Sequence, residues 1–231
     1  MRILLVAATF FEIRPFVEKL PLLNKMSEQL SHYRHKNIDI DVLITGVGMI
    51  PTAYLLGKQL TLQQYDLAIN AGIAGTFNRS LPLGSVVNVV EDCVAELGAE
   101  DGDNFLSMFD LGLIDPDVHP YQHGVLINDF RNDAALIKPG RINKLPKVKG
   151  ITSNTVHGNV QSIARIQQLT MADLESMEGA AFLFVCLTEK IQCLQIRAIS
   201  NLVEERDKKT WKLDLALKSL NQLLFDLLID I

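Results

Sequence analysis

Two short stretches of this chain carry side chains that could do chemistry. Glu175-Ser176-Met177-Glu178-Gly179-Ala180-Ala181 sets carboxylates at the start of an otherwise apolar run, and Arg197-Ala198-Ile199-Ser200-Asn201 closes the apolar segment Cys193 to Ile199 with polar side chains. A charge at the junction of buried elements is costly unless it is paired or used. Glu178 is followed by small and apolar residues, so it needs a partner, and the hydroxyls of a ligand would serve. Arg197 is the natural counter-charge for Glu12 or Glu175. Two such junctions close in sequence suggest one polar site at the carboxyl edge of a sheet, where open α/β folds bind small ligands.

The remaining chemistry-bearing residues have plainer readings. Glu12 taken alone is a solvated glutamate at a helix start, where the helix dipole favours acids. Gly46-Val47-Gly48 lies between a strand and a helix, but Pro51 stands where a dinucleotide fingerprint needs its third glycine. A turn whose backbone amides approach an oxygen-rich ligand still fits. His119 and His123 lie among Pro116 and Pro120 in a loop and read as surface residues, with no metal site. His157 follows a strand end, where contact with a ligand and capping of the turn both fit.

Composition narrows the function classes. The chain has 231 residues, 48% of them hydrophobic, which suits one domain over residues 1–231 with a large core. The net charge of -5 argues against general affinity for nucleic acid or an anionic membrane. The basic run Lys138, Arg141, Lys144, Lys147 and Lys149 has no interleaved aromatics and reads as a solvated loop. Cys93, Cys186 and Cys193 form no CxxC pair and read as reduced core residues of a cytoplasmic protein. Glu12 and Arg14 cut the first apolar run well below export or membrane-spanning length.

These side chains need elements to hold them. Arg2 to Ala8 reads as a buried strand, followed by a helix carrying Arg14 to Leu20. His32 to Thr45 alternates as a hairpin turning near Lys36-Asn37. Pro51 opens a helix to about Gln63. Asp66 to Ala71 is a strand ending in Gly72-Ile73-Ala74-Gly75, and Ser85 to Leu97 is a long strand in two pieces. Gly98 to Pro120 reads as an insertion or lid. Gly124 to Asp129 is a short strand or turn, and Val148 to Ser153 a strand. Helices follow over Val160 to Leu169 and Ser176 to Lys190, then a strand over Cys193 to Ser200. Trp211, Leu213, Leu217, Leu220, Leu224, Leu227, Leu228 and Ile231 recur at helical spacing, as an amphipathic helix on the core.

Several of these pieces together resemble the purine nucleoside phosphorylase and nucleosidase superfamily, and in particular bacterial nucleosidases of 5′-substituted purine nucleosides. They are Arg2 to Glu12, Thr45 to Gly48, Asn70 to Gly75 (NAGIAG), Leu83-Gly84-Ser85, Met177-Glu178-Gly179-Ala180 and Arg197 to Asn201 (RAISN). The resemblance covers nearly the whole chain. It implies a single three-layer α/β/α domain with a mixed, twisted sheet, a homodimer or higher oligomer, and no cofactor. It implies that Glu12 activates water and that Glu178 binds the ribose hydroxyls with Met177 on the sugar. Arg197 would steady the water and its base, while Ala74 and Gly75 lie beside the purine. Val156, His157, Ser176 and Ser200 complete the substrate contacts.

The methylthioadenosine and S-adenosylhomocysteine nucleosidases of this superfamily carry aspartate where this chain has Asn201. An aspartic acid can protonate N7 of adenine; an amide cannot, and losing general-acid help costs ~10²–10⁴ in rate. An amide can instead donate a hydrogen bond to N7 or O6 of a departing 6-oxopurine. That is similar to the branch that releases hypoxanthine from a 5′-modified inosine in menaquinone biosynthesis. A carboxylate on the 5′ extension could meet Arg206 or His157, although a surface ion pair is the plain reading of Arg206. Three rivals stay open: an adenine-releasing nucleosidase, a phosphorylase using phosphate in place of water, and a nucleoside-binding protein without catalysis.

Overall fold

A computed structural model of the chain describes residues 1–130, 137 and 139–229. It opens with β1 (Arg2–Ala7), α1 (Phe10–Val17), the antiparallel β2 (Leu22–Lys25), β3 (Leu30–His35) and β4 (Ile38–Ile44), then α2 (Met49–Leu62) and β5 (Leu67–Thr76). β6 (Val86–Asp92) precedes a separate hairpin, β7 (Gly98–Asp101) with β8 (Asn104–Ser107). The two-residue β9 (Leu126–Ile127), the single turn α3 (Pro139–Ile142), β10 (Lys147–Thr152), α4 (Val160–Thr170) and β11 (Leu174–Ser176) lead to α5 (Gly179–Thr188), β12 (Cys193–Leu202) and α6 (Leu213–Leu228).

The main sheet is mixed and runs β11-β10-β6-β12-β5-β1-β4-β3-β2, with β9 beside β6. β11 also pairs antiparallel with β5, placing Glu175 opposite Gly75, so the strands on this side close into a ring. β1, β4, β5 and β12 run parallel and end at one edge. Helices cover both faces. α1 and α6 pack Ile13, Phe16, Leu220 and Leu224 over one face, and α2 and α5 pack Leu56, Phe182 and Leu183 over the other. Each fully buried leucine or phenylalanine contributes about 1.5–3 kcal/mol relative to exposure. The expected α/β class with a mixed, twisted sheet is the one observed.

Several boundaries differ from those the sequence suggested. β5 runs on through Gly72–Gly75 to Thr76 instead of stopping at Ala71, because β12 pairs with it along its whole length. α2 begins at Met49, ahead of Pro51. The second half of the Ser85 to Leu97 strand is a single bridge, Val94 to Thr152. The helix expected from Ser176 begins at Gly179, since Leu174–Ser176 is taken into the sheet. Trp211 precedes α6 instead of lying within it. In the basic run, Arg141 pairs with Asp226 and Lys149 with Glu91; Lys138, like Ile231, lies outside the described residues. Among the described residues, no helix is long and apolar enough to cross a membrane.

Candidate active site

A cavity of about 360 Å³ opens at the carboxyl ends of β1, β5 and β12, beside the start of α5. That volume suits a small-molecule ligand. Glu12, Ala74, Gly75, Val156, Ser176, Met177, Glu178, Ser200 and Asn201 all line it. Arg197 and His157 do not. Ala8, Thr9, Phe11, Val47, Ile73, Thr155, Glu175, Trp211 and Leu213 complete the wall.

Glu12 is held in place rather than solvated. Its Oε2 accepts from the Thr9 backbone N–H and hydroxyl, each at 3.0 Å, and its Oε1 accepts from the Ile73 N–H at 3.2 Å. Its own backbone is fixed by Asn221 of α6, whose Nδ2 donates to the Glu12 carbonyl at 2.8 Å while its Oδ1 accepts the Phe16 N–H at 2.9 Å. The carboxylate reaches β5 because residue 72 is glycine. A Cβ there would lie 2.9 Å from Glu12 Oε1 and 3.7 Å from Arg197 Nη1.

Arg197 is the largest fully buried side chain of the protein's described residues. It donates to the Asn70 carbonyl at 3.3 Å, to the Ile196 carbonyl at 3.1 Å and to Asn70 Oδ1. It forms no direct ion pair with Glu12 or Glu175; it stands behind the wall, and its charge reaches Glu178 through the field. Burial lowers its pKa, and the negative charges of Glu178, Glu12 and Asp92 oppose that shift. Glu175 is paired instead with His157, whose Nδ1 lies 2.6 Å from Glu175 Oε2 and whose backbone N–H donates to Oε1 at 3.1 Å. That hydrogen bond raises the pKa of His157.

Glu178 sits at the N-cap of α5. Its Oε1 accepts the Gly48 N–H at 2.9 Å, across the two ends of the cavity wall. Gly48 has φ +101°, a backbone conformation that favours glycine, and it turns this amide toward the carboxylate. The glycine turn expected to approach a ligand therefore meets a carboxylate of the cavity wall. Burial raises the Glu178 pKa, and the positive field of Arg197 with the Gly48 amide holds it back.

Asn201 owes its direction to a bulge. β12 and β5 pair Ile199 with Ala74 and Asn201 with Gly75, so Ser200 is an extra residue on β12. Bulges re-aim side chains and often flank active sites. Ser200 Oγ lies 2.8 Å from Asn201 Oδ1 as donor, and 3.1 Å from the Ala74 carbonyl. Asn201 Nδ2 donates one hydrogen to the Leu202 carbonyl at 2.8 Å. The amide thus has its oxygen engaged and a second N–H left for the cavity.

The apolar wall was the part hardest to anticipate. Phe11, Val47 and Ile73 carry no chemical signal in the sequence, and Trp211 looked like one more apolar position of the last helix. Thr155, within Ser153-Asn154-Thr155-Val156, was the neighbour of a residue already singled out. His157 lines an adjacent cavity with Glu96, Glu100 and Arg165. Arg206 is exposed, packs its Cβ side against Gly158 and forms no ion pair among the described residues. No residue of the 98–120 segment lines the main cavity. His119 and His123 are exposed, and no group of metal-ligating side chains occurs among the described residues.

The phosphorylase superfamily model matches residues 2–228. A futalosine hydrolase of Streptomyces coelicolor is 31% identical over 186 residues, covering 78% of this chain and 74% of that protein. A 5′-methylthioadenosine/S-adenosylhomocysteine nucleosidase of Colwellia psychrerythraea is 24% identical over 197 residues, covering 82% and 79%. The solved futalosine hydrolase of Helicobacter pylori superposes with a TM-score of 0.81 at 14% identity, covering 100% of this chain and 98% of that one. The chain belongs to the phosphorylase superfamily.

Proposed function

We propose, from that membership and from the cavity, that this chain is an N-ribosyl hydrolase that releases hypoxanthine from futalosine. The single observation that carries the base preference is Asn201, an amide fixed by Ser200 with one N–H left for the cavity. Glu12 takes a proton from water as the water oxygen bonds to C1′. The C1′–N9 bond breaks and its electron pair moves into the purine. Asn201 donates to N7 or O6 while that charge gathers, and solvent supplies the final proton. The transition state has oxocarbenium character, by analogy with other glycoside cleavages. Glu178 accepts hydrogen bonds from the 2′ and 3′ hydroxyls, and Met177 packs on the sugar. From behind, the positive field of Arg197 opposes the burial that raises the Glu178 pKa.

The relatives named futalosine hydrolase support this substrate, and the reading places the protein in menaquinone biosynthesis. Residues 1–231 act as one unit in it. The three free cysteines suit the cytoplasm. A homodimer suits α2, whose Ile50 and Tyr54 are 81% and 65% exposed; light scattering would report it.

Two other readings have specific support. The Colwellia relative favours adenine release from methylthioadenosine. A phosphorylase would need a cation for phosphate, but Asn70, where arginine would stand, is spent on Arg197. The test is chromatography of the free base after incubation with futalosine, inosine or methylthioadenosine, with and without phosphate. Hypoxanthine from futalosine, indifferent to phosphate, is expected. Adenine from methylthioadenosine instead would overturn the role of Asn201, and dependence on phosphate would revive the phosphorylase.

A further inference from the structure

Glu178 occupies the N-cap of α5 yet makes no capping hydrogen bond with its side chain. The first amides of a helix need acceptors, and an N-cap side chain is the usual one. Here other residues supply them. Ala180 N–H donates to Thr152 Oγ1 at 2.7 Å, and Gly179 N–H to Ser176 Oγ at 3.3 Å. Thr152 is itself fixed, because its hydroxyl donates to Asp92 Oδ1 at 2.9 Å. Asp92 Oδ2 accepts from Gln195 Nε2 at 2.7 Å. Asp92, Thr152 and Gln195 are all fully buried. α5 rests directly on this cluster: a Cβ on Gly179 would lie 2.1 Å from Gln195 Nε2 and 2.3 Å from Asp92 Oδ2. The Asp92 carboxylate faces the positive end of a helix, which favours its charge, while burial pushes its pKa up to about 6.

We propose that the Asp92–Thr152 pair is a surrogate cap for α5 that releases the Glu178 carboxylate into the cavity. The inference rests on the reading of Glu178 as the holder of the ribose hydroxyls. Thr152 and Asp92 are then positioning residues that act through Glu178. With the Thr152 hydroxyl present, the Ala180 amide is satisfied and Glu178 is left for Gly48 and the sugar. Without it, Ala180 N–H is an orphaned donor, and Glu178 is a carboxylate on the adjoining turn able to swing back and satisfy it.

The test compares kcat/KM for futalosine with that for its 2′-deoxy analogue, together with Tm, in the full-length protein. Glu178→Ala sets the reference and brings the ratio close to one. Thr152→Val is expected to lower the ratio about tenfold, on the order of one buried hydrogen bond, and Thr152→Ser to restore it. Asp92→Asn keeps the bulk, removes the charge and is expected to lower the ratio about threefold, as for a charge at a helix terminus; it carries the test if Thr152→Val does not fold. Equal losses on both substrates, with the ratio unchanged, would make the cluster purely structural and overturn the proposal. An unchanged ratio in Glu178→Ala would overturn this inference together with the role of Glu178.

Discussion

Two inward-facing carboxylates of this protein, Asp41 and Glu178, occupy opposite surroundings. Asp41 lies on β4 and is fully enclosed. It accepts from Arg2 Nε and Nη2 at 3.0 and 2.8 Å, from the Tyr65 hydroxyl at 2.5 Å, and meets His32 Nδ1 at 2.6 Å. Every side of the group is taken. Glu178 lies on a cavity wall, has only the backbone amides of Gly48 and Met177 as donors among the described contacts, and faces its cation Arg197 only through the field. A saturated carboxylate is part of the fold, whereas one left half-satisfied beside an opening has bonding capacity for a ligand. Asp41 is fully buried and Glu178 half-buried, and the count of donors separates them further.

Substitutions can break that distinction. Glu12→Gln is expected to lower kcat by about 10²–10⁴, the range for losing general-base help, with Tm little changed; retained turnover would remove Glu12 from the mechanism. Asp41→Asn should do the reverse. Breaking a buried ion pair costs about 3 kcal/mol, read as a lower denaturation midpoint, while kcat per folded molecule stays as in the wild type. A large loss of kcat in that variant would erase the contrast. Asn201→Asp sharpens the site half. It introduces a group able to protonate N7, so adenine release from methylthioadenosine should rise by about tenfold or more, measured by base chromatography.

Smaller effects follow from pH. Burial raises the Glu178 pKa, so the carboxylate protonates sooner than a free glutamate as pH falls. KM should therefore climb at pH values still above the ordinary glutamate range, and Tm followed alongside separates that loss from unfolding. His157 has its pKa raised by Glu175. A raised folded pKa gives stability that is full below the unfolded histidine value and is lost as pH rises through the folded one. Thermal scans from pH 6 to 9 should show that loss, and His157→Gln should flatten it.

Much of this was legible in the sequence, and the failures have physical causes. Glu178 stands out at the start of an apolar run and Asn201 at the end of one, whereas Glu12 reads as solvated by itself and takes its role from the resemblance; the chain brings all three to one cavity. The hairpin β3–β4 followed from alternation, and α6 from its leucine spacing. β11 was missed because Leu174–Ser176 is too short to show a period, and its residues were absorbed into the following helix. The bulge at Ser200 depends on register against β5, which no local pattern encodes. Trp211 matched the helical spacing of α6, yet lies before its first turn on the cavity lip. Arg197 was read as a partner of Glu12 or Glu175 because sequence shows charge but not the competing carbonyls of Asn70 and Ile196.

The double pairing of β11 also bears on how the chain acquires its activity. Leu174–Ser176 is held by β10 on one side and by Thr76 and Gly75 of β5 on the other. Contacts so distant along the chain form late, since loop closure must be met before they return any free energy. Three residues cannot hold that position by themselves. The Glu175–Glu178 corner therefore settles after the strands flanking it, so in refolding after dilution from denaturant, helical circular dichroism should return before nucleosidase turnover does.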